Sequence, residues 1–198
     1  MSLAGLILAG GESRRMGSPK ALLEFGGETF LDRLILMLGQ CCSPVIVVLG
    51  HEPQRIKAGL VHADLATFVT NQYHEWGQFS SLQCGLTAVP SDAGGVMFTP
   101  VDHPAVLPST VARLARRFQE RVAAELLVVP RSGGKHGHPV CAAADLIPEF
   151  LALPLEAQAR DVIRRHREHA AYVDVDDSGI LKDVDDRDAY ERLTGGAR

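Results

Sequence analysis

Short, almost wholly apolar segments alternate with segments of helical periodicity through the first two thirds of the chain. Residues 3–8 form an apolar run that ends at a pair of glycines, which is typical of a strand buried on both faces of a sheet. Apolar residues then recur at helical spacing over 30–38, and Val45–Leu49 is a second buried strand. The same alternation predicts helices near 53–60, 80–88 and 111–118 and strands at 65–70 and 95–99. Repeated strand–helix alternation indicates a parallel sheet covered by helices.

The pattern changes after Glu125. Two apolar runs, at 126–129 and 138–142, flank a glycine-rich segment in the manner of an antiparallel hairpin. Helices from about 144 and over 157–166, a strand at 172–175 and a last helix from 186 complete the chain. Because no linker or repeat interrupts this order, we predict one three-layer α/β domain over residues 1–198, with a mostly parallel sheet and a small antiparallel excursion.

Composition narrows the class of protein. With 198 residues, 46% of them hydrophobic, the chain is long enough to bury a sizeable core without disulfides or a structural metal. Its longest apolar runs are far shorter than the roughly 20 residues that span a bilayer, and its first residues lack the charged start of a signal peptide, so we expect a cytoplasmic protein without a membrane partner. The net charge of −4 argues against nucleic-acid binding.

The connection after the first strand is the strongest candidate for a functional loop. It runs from about residue 9 to 28, whereas such turns usually take about 2–6 residues. Gly10 and Gly11 allow backbone N–H groups to approach an anion, and Arg15 and Lys20 supply the cationic donors that polyphosphate oxygens need. The loop therefore resembles a phosphate-binding loop, although it matches neither G-x-x-x-x-G-K-[ST] nor G-x-G-x-x-G. The alternative is a flexible glycine turn with solvated arginines.

Asp102 follows the predicted strand at 95–99, within Thr-Pro-Val-Asp-His-Pro. Ligands of open parallel sheets bind beyond the carboxyl ends of the strands, so Asp102 is expected at the same edge as the glycine loop. A lone carboxylate there suits Mg²⁺, which usually takes one or two protein carboxylates besides phosphate oxygens and water. The alternative is an aspartate that caps a turn. His103 is interpreted as a packing residue, and the acidic run 183–186 either adds a second carboxylate or forms a solvated helix start.

Two further segments contain candidate functional residues. Ser80 or Ser81, in a stretch between two glycines, is expected to cap a helix whose N-terminus faces an anion or a base edge. The segment 133–139 contains glycines and two histidines, which predicts a hairpin that faces the substrate, with a metal site as the alternative.

Together these residues resemble the nucleotidyltransferases of molybdenum-cofactor maturation, a Rossmann-like NTP-transferase family that includes cytidylyltransferases and guanylyltransferases. The resemblance spans nearly the whole chain. The matching segments are Leu8-Ala9-Gly10-Gly11, Arg15-Met16-Gly17 with Lys20, Gly77 with Ser80-Ser81-Leu82, Pro100-Val101-Asp102-His103-Pro104, Gly137-His138-Pro139-Val140, Ala159-Arg160 and Asp183-Val184-Asp185.

The resemblance implies roles for individual residues. Arg15, Lys20 and Asp102 are expected to be catalytic, and Asp102 with Asp185 to bind the metal, Mg²⁺. Nucleotide-binding residues are expected to be Leu8, Ala9, Gly10, Gly11, Arg15, Lys20, Ser80 and Ser81.

The resemblance also implies an activity. The expected reaction transfers an NMP from CTP or GTP to a phosphorylated acceptor, molybdopterin first, and releases pyrophosphate. Gly10-Gly11 is of the guanylyl type, whereas Ser80-Ser81-Leu82 is of the cytidylyl type, and His103 stands where glutamine is common in cytidylyl members, so both bases stay open. A sugar phosphate or small phospho-acid as acceptor, and a nucleotide-binding protein without catalysis, are the alternatives. A molybdoenzyme or a chaperone is the protein partner that the resemblance implies.

Overall fold

Strand β1 (Leu3–Ala9) lies near the middle of the sheet and is buried along its whole length. The computed structural model describes residues 2–195. The remaining strands are β2 (Glu24–Phe25), β3 (Glu28–Thr29), β4 (Val45–Leu49), β5 (Thr67–Thr70), β6 (Gly95–Pro100), β7 (Leu127–Ser132), β8 (Lys135–His136), β9 (Val140–Ala143) and β10 (Ala170–Asp174). The helices are α1 (Phe30–Gly39), α2 (Pro53–Ala58), α3 (Gln78–Leu86), α4 (Pro108–Gln119), α5 (Ile147–Ala152), α6 (Ala159–Arg165) and α7 (Arg187–Gly195).

The main sheet has the order β10-β7-β9-β6-β1-β4-β5. Strands β6, β1, β4 and β5 are paired in parallel, as are β7 and β10. Strand β9 is antiparallel to both of its neighbours, β6 and β7, and β8 forms a short hairpin with β7. The predicted α/β class, the mostly parallel sheet and the antiparallel excursion are therefore confirmed.

Two hydrophobic cores cover the two faces of the sheet and make three layers. One face packs against α1, α4 and α7, and the other packs against α3, α5 and α6. Side chains of β1 alternate between them, so that Ile7 lies in the first core and Leu8 in the second. Between residues 2 and 195, no helix is both long enough and apolar enough to cross a membrane.

Helix α3 begins earlier than predicted. Its N-cap is Gly77, with a φ of 95°, a backbone conformation that glycine adopts without strain. Ser80 and Ser81 thus lie inside the helix, and the expectation that one of them caps it is wrong. The reason is that the chain turns at Gly77, directly after the 3₁₀ turn His74–Trp76, and is already helical from residue 78.

A buried carboxylate fixes the start of α1. Asp32 is 2% exposed and accepts hydrogen bonds from the Thr29 hydroxyl and from the backbone amides of Val61 and His62, at 2.8, 3.2 and 2.8 Å. Helix α1 is thereby tied to the segment that follows α2.

We expect Asp32→Ala to lower the free energy of unfolding by about 3 kcal/mol, because the Thr29 hydroxyl and the backbone amides of Val61 and His62 lose a buried, charged acceptor. Urea denaturation measures the change, and Asp64→Ala, at an exposed aspartate of the same neighbourhood, is the matched control. Equal stability of the two variants would show that Asp32 does not hold this segment.

Candidate active site

A cavity of about 260 Å³ opens at the carboxyl edge of the sheet, where β1 and β6 end. It is lined by the glycine loop, the start of α3 and the segment after β6. Of the residues predicted for the site, Leu8, Ala9, Gly10, Gly11, Arg15, Lys20, Ser81, Asp102 and Asp185 line it. The structure thus brings together residues that are up to 177 positions apart, from Leu8 to Asp185.

Lys20 is the centre of the charged part of this cavity. Its Nζ donates to Asp185 Oδ1 at 2.7 Å and to Asp102 Oδ2 at 3.2 Å. The Lys20 side chain is only 13% exposed, and its backbone amide donates to the Ser13 hydroxyl at 3.0 Å. Arg15 reaches the other oxygen of Asp185 at 3.5 Å with a largely exposed side chain. A cation therefore stands between two carboxylates.

Asp102 is held from two sides. His103 Nδ1 lies 2.9 Å from Asp102 Oδ1, and Lys20 contacts the other oxygen. Burial alone would raise the pKa of Asp102, but the hydrogen bond from His103 and the charge of Lys20 outweigh it, so this pKa lies below its ordinary value. Asp102 is consequently an anion at neutral pH.

Only part of the acidic run reaches the cavity. The backbone amide of Val184 donates to the Asp102 carbonyl at 2.9 Å. This hydrogen bond holds the next residue, Asp185, beside Lys20. Asp186 accepts from the Ala189 amide at the start of α7, and so forms the helix start that the sequence offered as the alternative.

Another aspartate, Asp177, has a structural role away from the cavity. It is buried and accepts hydrogen bonds from the Leu107 amide and the Thr110 hydroxyl at the start of α4.

Ser81 and Ser80 have different surroundings. Ser81 Oγ packs against Gly10, where a Cβ would lie 2.6 Å from that oxygen, so the loop and α3 meet in a contact that requires glycine. Ser80 is 2% exposed, and its hydroxyl is 2.9 Å from the Tyr73 carbonyl and 2.8 Å from that of Gly77. Ser80 therefore lies behind the cavity wall and supports it.

Asn71 was not singled out from the sequence. It is 3% exposed, and its Nδ2 donates to Ser80 Oγ and Ser81 Oγ at 2.9 and 3.1 Å. It follows the edge strand β5 directly, and a polar residue just after a predicted strand, at the carboxyl edge of the sheet, was the signal that could have identified it. Asn71 fixes the first turn of α3 against the cavity.

The glycine-rich hairpin at 133–139 places its two histidines apart. His136 is exposed and stacks on Tyr172, with ring centroids 4.6 Å apart. His138 is partly buried, with its Nδ1 atom shielded from solvent, and its ring centroid lies 4.8 Å from that of His103. Among residues 2–195 there is no group of three or more histidine, cysteine, aspartate or glutamate side chains that could hold a metal, so the hairpin is not a metal centre of that kind.

The burial of His138 makes stability depend on pH. Burial lowers its pKa to about 4, and the nearby His103 acts in the same direction. The unfolded chain, with a histidine pKa of about 6.5, binds a proton before the folded one does, so stability falls as pH decreases from about 6.5 to 4, by up to about 3 kcal/mol.

We expect His138→Phe to remove this part of the acid sensitivity, which urea unfolding at pH 7, 6, 5 and about 4 measures. His62→Asn, on the segment that Asp32 holds, is the control and should keep the wild-type pH slope. An unchanged slope in His138→Phe would mean that His138 has the same pKa in the folded and the unfolded protein.

Residues 5–170 match the model of the MobA-like NTP transferase domain family. The chain belongs to this family. The match includes every predicted site residue except Asp185, and it makes the chain a nucleotidyltransferase-family enzyme with the single α/β fold described above.

Relatives within the family carry more than one name. A molybdenum cofactor guanylyltransferase of Cereibacter sphaeroides is 32% identical over 84% of this chain and 83% of its own length. One from Xanthomonas euvesicatoria is 32% identical over 61% of this chain, which spans 57% of that relative's length. The nicotine blue oxidoreductase of Paenarthrobacter nicotinovorans is 30% identical over 96% of both chains.

Solved structures share the whole fold. Rv0371c from Mycobacterium tuberculosis superposes with a TM-score of 0.83 at 25% identity, over 98% of this chain and 99% of that one. A second structure of Rv0371c, described as a complex with manganese, has a TM-score of 0.77 at 24% identity over the same share of both chains.

Proposed function

We propose that the chain is a divalent-metal-dependent nucleotidyltransferase that transfers the NMP of CTP or GTP to a terminal phosphate of an acceptor of the molybdopterin type. The observation that carries the proposal is the Lys20 ammonium between Asp102 and Asp185, at the floor of a glycine-lined cavity. It unites a cationic donor for phosphates with the carboxylates that a metal needs. Several relatives are named molybdenum cofactor guanylyltransferases, which supports an acceptor of the molybdopterin type.

The residues present fit a hard divalent cation. The donor set consists of carboxylate oxygens, and Lys20 Nζ already marks a position where a cation is stabilised. Mg²⁺ commonly uses one or two protein carboxylates and completes its shell with phosphate oxygens and water, so two carboxylates suffice. Asp102 and Asp185 would hold the ion, and the manganese complex of Rv0371c supports a divalent metal in this fold.

In the proposed reaction, an oxygen of the acceptor phosphate forms a bond to the α-phosphorus of the NTP. The bond from that phosphorus to the oxygen bridging to the β-phosphate breaks, and pyrophosphate leaves with the electron pair. Lys20 and Arg15 are proposed to offset the negative charge on the phosphates, and the backbone amides of Gly10 and Gly11, which line the cavity, to donate hydrogen bonds to them. When bound, the metal ion neutralises charge and aligns the reacting phosphates.

Leu8, Ala9 and the two glycines are proposed to border the base, together with Ser81 from α3. Ser80 supports them through its contacts with Asn71 and the Gly77 carbonyl. Transfer of the product to a molybdoenzyme or a chaperone is the proposed fate of a molybdopterin nucleotide.

Pyrophosphate release tests the proposal. The protein is mixed with Mg²⁺ and each of CTP, GTP, ATP and UTP, with a pterin phosphate or with glucose 1-phosphate as acceptor. We expect release with CTP or GTP and the pterin phosphate. Release only with the sugar phosphate would keep the transfer and replace the acceptor. No release in any combination, together with redox turnover of nicotine blue, would favour the oxidoreductase activity that one relative's name carries.

A further inference from the structure

The two carboxylates beside Lys20 each present a single oxygen to it, in the cavity that we call the Lys20 cavity from here on. Lys20 Nζ donates to Asp102 Oδ2 at 3.2 Å and to Asp185 Oδ1 at 2.7 Å. The second oxygen of Asp102, Oδ1, lies 2.9 Å from His103 Nδ1. The second oxygen of Asp185, Oδ2, lies 3.5 Å from a guanidinium nitrogen of Arg15. Each carboxylate therefore has one oxygen turned toward the position of the cation and one turned toward another side chain.

The contact of His103 with Asp102 is buried, whereas that of Arg15 with Asp185 is not. The side chains of His103 and Asp102 are 11% and 17% exposed. Those of Arg15 and Asp185 are 69% and 45% exposed, and their separation of 3.5 Å is longer than a normal hydrogen bond. An exposed pair of that kind holds its members weakly. Of the two carboxylates, Asp102 is thus the one whose second oxygen is fixed by a buried hydrogen bond.

The surroundings of His103 fix the direction of this hydrogen bond. An ionised carboxylate only accepts hydrogen bonds, so His103 Nδ1 carries a hydrogen and donates to Asp102 Oδ1. The His103 ring packs edge-to-face on that of His138, with the centroids 4.8 Å apart. The His138 amide in turn donates to the Ile180 carbonyl at 3.0 Å, which ties this part of the chain to the segment before α7. The imidazole is consequently held in the orientation that points Nδ1 at Asp102.

The number of free carboxylate oxygens affects which divalent ion a site prefers. Ca²⁺ takes about six to eight oxygen ligands and accepts carboxylates through one or both oxygens, whereas the smaller Mg²⁺ requires near-octahedral geometry and keeps several waters. We propose that His103 is a positioning residue that sets the metal preference of the site. By engaging Asp102 Oδ1 it leaves Oδ2 as the single ligand atom of this carboxylate, which favours Mg²⁺ over Ca²⁺. The inference rests on the metal site of the proposed function.

Two kinds of substitution separate the hydrogen bond from the bulk of the side chain. His103→Leu and His103→Ala remove the donor and free Asp102 Oδ1, so the ratio of Ca²⁺ affinity to Mg²⁺ affinity should rise by about tenfold. In His103→Asn the amide nitrogen is bonded to Cγ, as Nδ1 is, and can donate to the same oxygen, so the wild-type ratio should be kept. Lys20 competes with both ions alike, and its effect cancels in the ratio.

Electron paramagnetic resonance of free Mn²⁺ measures these affinities on the full-length protein without NTP. Bound Mn²⁺ is displaced by Mg²⁺ or by Ca²⁺ in separate titrations, and thermal unfolding verifies that each variant is folded. The alanine variant keeps the test valid if leucine does not fit beside His138. His166→Leu is the matched control, because His166 also contacts a carboxylate, that of Glu149, outside the Lys20 cavity.

A wild-type ratio in the folded donor-free variants would overturn the inference. The same shift in His103→Asn as in His103→Ala, or the same shift in the control His166→Leu, would also overturn it. A shift confined to the donor-free variants supports it, since a general loss of stability would weaken the binding of both ions without changing their ratio.

Failure of the inference and failure of the proposed function are distinguishable, because the metal affinities are measured without NTP. An unchanged ratio together with pyrophosphate release overturns the role of His103 while nucleotidyl transfer stands. A shifted ratio without pyrophosphate release from any NTP supports the role of His103 and overturns the transfer. Mn²⁺ that binds neither the wild-type protein nor Lys20→Ala overturns the role of His103 and the metal site together.

Discussion

Replacing Lys20 by alanine is expected to lower the turnover of nucleotidyl transfer by about 10²–10³-fold, as removal of one preorganised charge donor does elsewhere. The same change should strengthen Mg²⁺ binding in the absence of NTP. In the wild-type protein the Lys20 ammonium occupies the position between Asp102 and Asp185, and a divalent ion must compete with it for the two carboxylates. Turnover and metal affinity therefore change in opposite directions.

Isothermal titration with Mg²⁺ and steady-state turnover measure the two effects on the same preparation. Lys182→Ala is the matched control, since Lys182 is an exposed lysine that does not line the Lys20 cavity. In Lys20→Ala the melting temperature should fall without metal, because two carboxylates then face each other, and should recover with Mg²⁺. Weaker Mg²⁺ binding in Lys20→Ala than in Lys182→Ala would contradict this arrangement.

Asp102→Asn is expected to remove most of the Mg²⁺-dependent turnover and to flatten the effect of Mg²⁺ on NTP binding. The amide keeps the shape and one oxygen but lacks the charge that a divalent ion requires. Stability should fall by about 1–3 kcal/mol, because the 17% exposed carboxylate accepts from both Lys20 and His103.

The comparison variant is Asp183→Asn, an exposed member of the acidic run outside the Lys20 cavity, which should behave as wild type. Turnover and thermal unfolding are followed across a Mg²⁺ titration. If Asp102→Asn keeps near-normal activity, Asp102 is a turn-capping aspartate and the metal site must be assigned elsewhere.

Much of the fold could be predicted because the central parallel strands β1, β4 and β6 are buried on both faces. Val45–Leu49 is wholly apolar and lies where the pattern predicts it, and the start of α1 coincides with the first residue of helical spacing. The position of β9 between β6 and β7 could not be predicted, because pairing between distant strands leaves no local pattern. Likewise, Gly77 displaced the predicted cap at Ser80 or Ser81, since a glycine with positive φ starts α3 two residues earlier.

The candidate site was predictable for residues that directly follow a recognisable strand. The glycine loop and Asp102 lie at the ends of neighbouring strands, and a parallel sheet brings such ends to one edge. The contact of Lys20 with Asp185 could not be predicted, because it depends on where the segment before α7 crosses the sheet edge. The hydrogen bond from the Val184 amide to the Asp102 carbonyl fixes that position, and it joins residues far apart in sequence. Asn71 and the His103–His138 contact are tertiary arrangements of the same kind.

The fate of the α-phosphate tests the central claim most directly. CTP and GTP, each radiolabelled at the α-phosphate, are incubated with the protein, Mg²⁺ and the pterin phosphate, and the products are separated by chromatography. The label should move into a product that also contains the pterin, with one pyrophosphate released for each label transferred, and this transfer should be lost in Lys20→Ala and Asp102→Asn. Label that stays in the NTP, or that appears only in free NMP or NDP, would contradict nucleotidyl transfer by this site.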